Sequence, residues 1–125
     1  MKYKLYLDDV RYPDLHPDWR IARNFHDARW MVKSYGVPYH ISFDHDLADV
    51  HYEQPDYGHN DDPMVFIRVP YEFTGYDFAK WFCYYVLDND VNLPFDFTYD
   101  VHSMNPVGAE NIKSFMDNFM RDGYI

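Results

Sequence analysis

The sequence predicts an α/β domain in which helices cover both faces of a mostly parallel sheet. Some short segments alternate apolar and polar residues, as strands do, and others have apolar residues at helical spacing. The two kinds of segment follow one another along the chain. The length of 125 residues fits a single domain, residues 1–125, without an internal repeat or a linker. Polar residues directly follow three of the apolar strands, as expected where ligands bind beyond the carboxyl ends of a parallel sheet.

The first two predicted strands lie near the beginning of the sequence. Residues 3–8 alternate in a strand-like way, with Tyr3, Leu5 and Leu7 on one face. A loop with two prolines follows, and residues 19–22 form a short second strand. The first strand therefore runs directly into an acidic pair.

The first predicted helix spans residues 25–35, and residues 39–43 form the third strand. Asn24 is the expected N-cap of this helix, and Gly36 ends it. The helical spacing is defined by Phe25, Ala28, Val32 and Tyr35. The third strand leads into the sequence DHD, where two carboxylates flank a histidine.

A long acidic insertion is predicted at residues 48–73, which are rich in Asp, Tyr and His. Connections in compact domains are usually about 4–6 residues long, and longer ones are typical of lids and binding loops. Residues 64–69, MVFIRV, are a candidate strand within it.

The rest of the chain predicts a helix, a strand and a final helix. The first of these helices begins at Thr74 or Gly75, the fourth strand covers residues 97–102, and Pro106 occupies the first position of the last helix. The apolar stripes of the two helices are formed by Phe78, Phe82, Tyr85 and Val86 and by Ile112, Phe115, Met116 and Phe119.

Charge and composition limit the function classes. The formal net charge of −10 argues against an extended nucleic-acid footprint and favours either a bound cation or a basic protein partner. The single cysteine, Cys83, excludes an internal disulfide framework and fits the cytoplasm. The first residues do not resemble a signal peptide, and no segment reaches the roughly 20 apolar residues of a membrane span.

Four carboxylates near two strand ends predict a metal site. Asp8, Asp9, Asp44 and Asp46 would crowd like charges into one cleft, which Mg²⁺ or Mn²⁺ would neutralise through hard oxygen ligands. The alternative is that these residues are ordinary turn residues and helix caps.

Two histidines and a helix start suggest phosphate chemistry at the same edge. His45 and His102 each lie at a strand end and, with Asp44, would exchange protons with a substrate; the alternative is a structural role. Asn105 caps the helix that Pro106 starts, and Ser103 adds a hydroxyl where free backbone N–H groups attract anions.

Four sequence blocks, LYLDDVRYP, SFDHDL, TGYDFAKW and VHSMNPVGAEN, resemble the family described as the cyclic-phosphate-processing receiver-like domain. The resemblance covers residues 5–111. It implies a three-layer, receiver-like (flavodoxin-like) fold and an active site for a cyclic phosphate, such as a 2′,3′-cyclic RNA end. It also implies that Arg11 either reaches the phosphate or braces its loop. The residues that the resemblance assigns to the site are Asp8, Asp9, Asp44, His45, Asp46, His102 and Ser103.

The sequence therefore predicts a cytoplasmic, metal-assisted phosphoesterase that acts on a cyclic phosphate of a small molecule or an RNA end. One alternative is a non-enzymatic acidic module that binds or inhibits a basic protein through the insertion. Another is a receiver-like domain that binds a nucleotide without cleaving it.

Overall fold

The computed structural model describes residues 1–47 and 73–122. Within these ranges the chain forms four strands and three helices. The strands are β1 (Lys4–Leu7), β2 (Trp19–Ala22), β3 (His40–Phe43) and β4 (Thr98–Val101). The helices are α1 (Phe25–Tyr35), α2 (Gly75–Asp88) and α3 (Pro106–Asp122). All strand pairs are parallel, and the strand order is β2-β1-β3-β4.

The predicted receiver-like α/β fold with a parallel four-stranded sheet is confirmed, because each of these seven elements begins within one residue of its predicted start. The predicted N-cap of α1 also forms, since the side chain of Asn24 accepts the N–H of Asp27. At the start of α2, Thr74 forms a reciprocal capping box with Asp77. The predicted insertion, apart from its last residue, and the candidate strand at 64–69 lie outside the described residues.

The apolar core lies between one face of the sheet and the helices. Leu5, Leu7, Ile41 and Phe43 have no exposed surface, and they form one cluster with side chains from all three helices. Alternation along a strand sends these side chains to the same face, which explains why the helices gather there. No described helix is long and apolar enough to cross a membrane.

The opposite face of the sheet carries mixed polar and aromatic side chains. Tyr6 on β1 pairs in register with Ser42 on β3, and Ser42 pairs with Asp100 on β4. Among the described residues, no helix packs on this face, so the described helices supply one of the two predicted helical layers. We call this surface, which includes Tyr6, His40, Ser42, Thr98 and Asp100, the open face.

Candidate active site

Three of the predicted site residues lie side by side at the carboxyl edge of the sheet. Asp8, Asp44 and His102 each follow the last residue of a strand, and backbone hydrogen bonds continue the ladder to them. The N–H of Asp44 donates to the carbonyl of Leu7 at 2.9 Å, and that of His102 donates to Phe43 at 2.9 Å. One ligand atom from each of the three residues lies within 4.8 Å of the other two.

Asp8 is completely buried and receives four donors. Its Oδ1 accepts the backbone N–H groups of Val10 and Arg11 at 2.9 and 2.7 Å. Its Oδ2 lies 2.8 Å from Nε of Arg11 and 2.9 Å from Nε2 of His102. Burial raises the pKa of Asp8, but these hydrogen bonds and the charge of Arg11 outweigh it and lower the pKa to about 2. Asp8 is therefore held as a carboxylate.

Asp44 is nearly as buried but has fewer partners. Its Oδ1 accepts the N–H of His45 at 2.8 Å, and its Oδ2 lies 3.5 Å from Nη2 of Arg11. Burial and the neighbouring charge of Asp8 raise its pKa, and the N–H of His45 and the charges of Arg11 and His102 only partly oppose them. A further positive charge at this position would favour the ionised form.

Arg11 supplies a positive charge to both carboxylates. Its side chain is 43% exposed, so part of the guanidinium remains accessible from solvent. The loop that carries it is held by Arg23, whose Nη1 donates to the carbonyls of Arg11 at 2.7 Å and Asp8 at 3.2 Å. Arg11 therefore braces the carboxylates and is also accessible to an anion.

A second group consists of His45, Asp46 and Asn105. Nδ1 of His45 lies 2.7 Å from Oδ1 of Asp46, and the amide of Asn105 donates to the same oxygen at 3.2 Å. The hydrogen bond from His45 lowers the pKa of Asp46; burial acts in the opposite direction, and Asn105 adds to the lowering. Within the described residues, Nε2 of His45 makes no hydrogen bond. This arrangement suits proton transfer through Nε2.

Two glycines allow the DHD segment to lie against the starts of two helices. A side chain at Gly75 would overlap the carbonyl oxygen of Asp44, and one at Gly108 would overlap the ring of His45. The N–H of Gly75 also donates to the carbonyl of His45 at 2.8 Å. Close backbone approach therefore requires glycine at both positions.

His102 uses both of its ring nitrogens. Nδ1 lies 2.8 Å from Oγ of Ser42 and Nε2 lies 2.9 Å from Oδ2 of Asp8, while the ring stacks on Tyr6 at 4.6 Å. The hydroxyl of Ser42 donates to Asp100, so it accepts from Nδ1. Because Asp8 is a carboxylate, Nε2 also donates. Sequence reasoning missed Tyr6, Ser42 and Asp100; the available signals were Ser42 between the apolar Ile41 and Phe43, and Asp100 between Tyr99 and Val101.

The remaining predicted residues lie at the edge of the site. Asp9 is half-buried and, among the described residues, is not part of the group with metal-ligand spacing. Asp46 has a side chain that is 68% exposed and faces His45. The hydroxyl of Ser103 accepts the N–H of Asn105 at 3.0 Å, and Oδ1 of Asn105 accepts the N–H of Gly108 at 2.9 Å. Ser103 and Asn105 thus shape the start of α3.

The donor set is compatible with a divalent cation. Two buried carboxylates offer the hard oxygen ligands that Mg²⁺ and Mn²⁺ take. The raised pKa of Asp44 supports the fit, because a cation would relieve the repulsion from Asp8.

Comparison with known proteins gives one family. The sequence model of the cyclic-phosphate processing receiver domain matches residues 3–118. No curated protein and no solved structure gives a significant match. The matched range includes every side chain of the site described above.

Proposed function

Because the chain belongs to the cyclic-phosphate processing receiver domain family, we propose that its carboxyl-edge site hydrolyses a cyclic phosphate. Water adds to phosphorus, one of the two ring ester bonds breaks, and the products are a phosphomonoester and a free hydroxyl. The substrate is a 2′,3′-cyclic RNA end or a cyclic nucleotide. The observation that carries the proposal is the convergence of Asp8, Asp44, Arg11 and His45 at one edge.

Each of the two histidines would carry out one of the two proton transfers. Nε2 of His45, which has no partner among the described residues, takes a proton from the attacking water, while Asp46 holds Nδ1. His102 gives the Nε2 proton that it shares with Asp8 to the leaving oxygen. The two transfers balance, since one proton is taken up and one is released.

The phosphate would be held by Arg11 and the start of α3. Arg11 is the partly exposed cation beside both buried carboxylates, and a guanidinium matches the oxygens of a phosphate. Ser103 and Asn105 would orient the loop before α3 around a phosphate oxygen.

Asp8 and Asp44 would hold Mg²⁺ or Mn²⁺ at this site. When bound, the ion would polarise the phosphoryl oxygens. Metal binding can be measured separately from turnover, through the melting temperature of the protein.

Adding Mn²⁺ to the wild-type protein is expected to raise its melting temperature. A ligand that binds only the folded state stabilises it by about 2.7 kcal/mol at a hundredfold excess over Kd. Asp44→Asn should lose this shift, because it removes one buried oxygen charge. Asp9→Asn is the matched control and should keep it, since Asp9 is not in the group with metal-ligand spacing. No shift in the wild type would remove the cation from the mechanism and leave Arg11 as the charge on the phosphate.

Turnover is tested by incubating the protein with 2′,3′-cyclic AMP and following the ³¹P NMR signal. We expect the cyclic ester to be replaced by a phosphomonoester, and the linear diester of the same nucleoside to remain intact. A His45→Gln preparation controls for contaminating enzymes. If a panel of cyclic phosphates binds but is not converted, the domain is a binding module. If none binds, the acidic protein-binding alternative becomes the better explanation of the charge.

A further inference from the structure

A continuous series of hydrogen bonds leaves the active site and crosses the open face. From Asp8 it passes to His102 at 2.9 Å, then to Ser42 at 2.8 Å, and from Ser42 to Asp100. Oδ2 of Asp100 lies 2.9 Å from Nε2 of His40, whose Nδ1 is 2.7 Å from the hydroxyl of Thr98. Three adjacent strands contribute to this series, which the proton transfers proposed above do not use beyond His102.

We propose that Ser42 and Asp100 are positioning residues that fix the ring of His102 for the reaction proposed above. Asp100 accepts the only hydroxyl proton of Ser42, so Oγ of Ser42 is left to accept Nδ1–H of His102. That hydrogen bond directs Nε2–H towards Asp8. The expected effect on catalysis rests on the proposed function, whereas the orientation of the His102 ring does not.

Ser42 and Asp8 together select the orientation of the His102 ring, which its stack on Tyr6 does not. The stack on Tyr6, with 2° between the ring planes, restrains the plane of the imidazole. A 180° turn of the ring would keep that plane but place carbon atoms where both nitrogens now lie. Ser42 is 4% exposed, so water does not readily replace its hydroxyl as the acceptor for Nδ1.

The test compares Ser42→Ala with Ser42→Thr, which restores the hydroxyl. Ser42→Ala is expected to lower kcat for 2′,3′-cyclic AMP by about 10- to 100-fold with little change in KM. The ¹⁵N NMR signal of Nδ1 of His102 should move in Ser42→Ala and return in Ser42→Thr. Ser114→Ala is the matched control: it removes a serine hydroxyl on the exposed side of α3 that contacts Glu110 and lies outside this series, so neither quantity should change.

Asp100→Ala provides a second variant whose folding is not in question, because the side chain of Asp100 is 56% exposed. It frees the hydroxyl of Ser42 to turn, and we expect a smaller change of the same kind in kcat and in the Nδ1 signal. An unchanged kcat together with an unchanged Nδ1 signal in Ser42→Ala overturns the inference. If the wild type converts no cyclic phosphate, the proposed function fails, and the NMR comparison alone then decides the positioning role.

Discussion

Replacing Asp8 with alanine is expected to abolish turnover and to lower the free energy of unfolding by about 3–5 kcal/mol, the usual cost of breaking a buried ion pair by removing one partner. Two backbone N–H groups, the guanidinium of Arg11 and Nε2 of His102 all lose their acceptor. The loss is a large fraction of the roughly 5–15 kcal/mol that stabilises a typical domain. Urea unfolding at pH 7, followed by tryptophan fluorescence, measures it. A loss below about 1 kcal/mol would contradict the contacts described for Asp8.

The pH dependence of this difference gives a second check. The pKa of Asp8 is about 2 in the folded protein and 3.8 in the reference state, so the unfolded chain binds more protons between these values. The contribution of Asp8 is therefore fully present above pH 3.8 and is lost as the pH falls through about 2. At pH 7 it amounts to about 2 kcal/mol. The stability difference between the wild type and Asp8→Ala should shrink accordingly at low pH.

Asp44→Asn is the matched control, and we expect the opposite effect on stability. The pKa of Asp44 is raised, so its charged form is less favourable in the folded protein than in the unfolded chain. An asparagine removes that charge, and its Oδ1 can still accept the N–H of His45. Without metal, this variant should be at least as stable as the wild type while its turnover falls. Equal destabilisation by Asp8→Ala and Asp44→Asn would contradict the different environments of the two carboxylates.

His45→Gln is expected to reduce kcat by about 10²–10⁴-fold, the usual contribution of a positioned proton-transfer group. The free energy of unfolding should change little, because glutamine retains a polar side chain of similar length beside Gly108. Steady-state kinetics with 2′,3′-cyclic AMP and urea unfolding of the same preparation separate the two effects.

His16→Gln is the control for this substitution. His16 lies in an exposed turn, where its Nδ1 accepts the N–H of Asp18, and the change should leave turnover unaffected. If His45→Gln keeps wild-type kcat, proton transfer through His45 is excluded, and the water must lose its proton to another group.

The positions of the strand ends could be predicted from sequence because apolar alternation stops abruptly at Asp8, Asp44 and His102. The choice between Asp8 and Asp9 could not, since successive residues of an extended chain point to opposite sides and only the fold shows which side faces the site. Asp8 is buried in the cluster, whereas Asp9 is only half-buried outside it.

The hydrogen-bonded series on the open face was also beyond sequence reasoning. The contact between Ser42 and Asp100 depends on which strands are neighbours and on their register, and both are set by packing across the whole sheet. The roles of Gly75 and Gly108 are similar: the sequence places them near helix starts, but their contact with the DHD segment depends on how the helices dock.

The residues of this site come together only when the strands of the sheet pair in their native register. Leu7, Phe43 and Val101 are aligned across three strands, so the residues that follow them meet. A slip of β4 by one residue would send His102 to the core side and expose Tyr99 on the open face. The proposed turnover therefore depends on native strand pairing, and its specific activity in a purified sample is expected to report the fraction of molecules whose strands are correctly aligned.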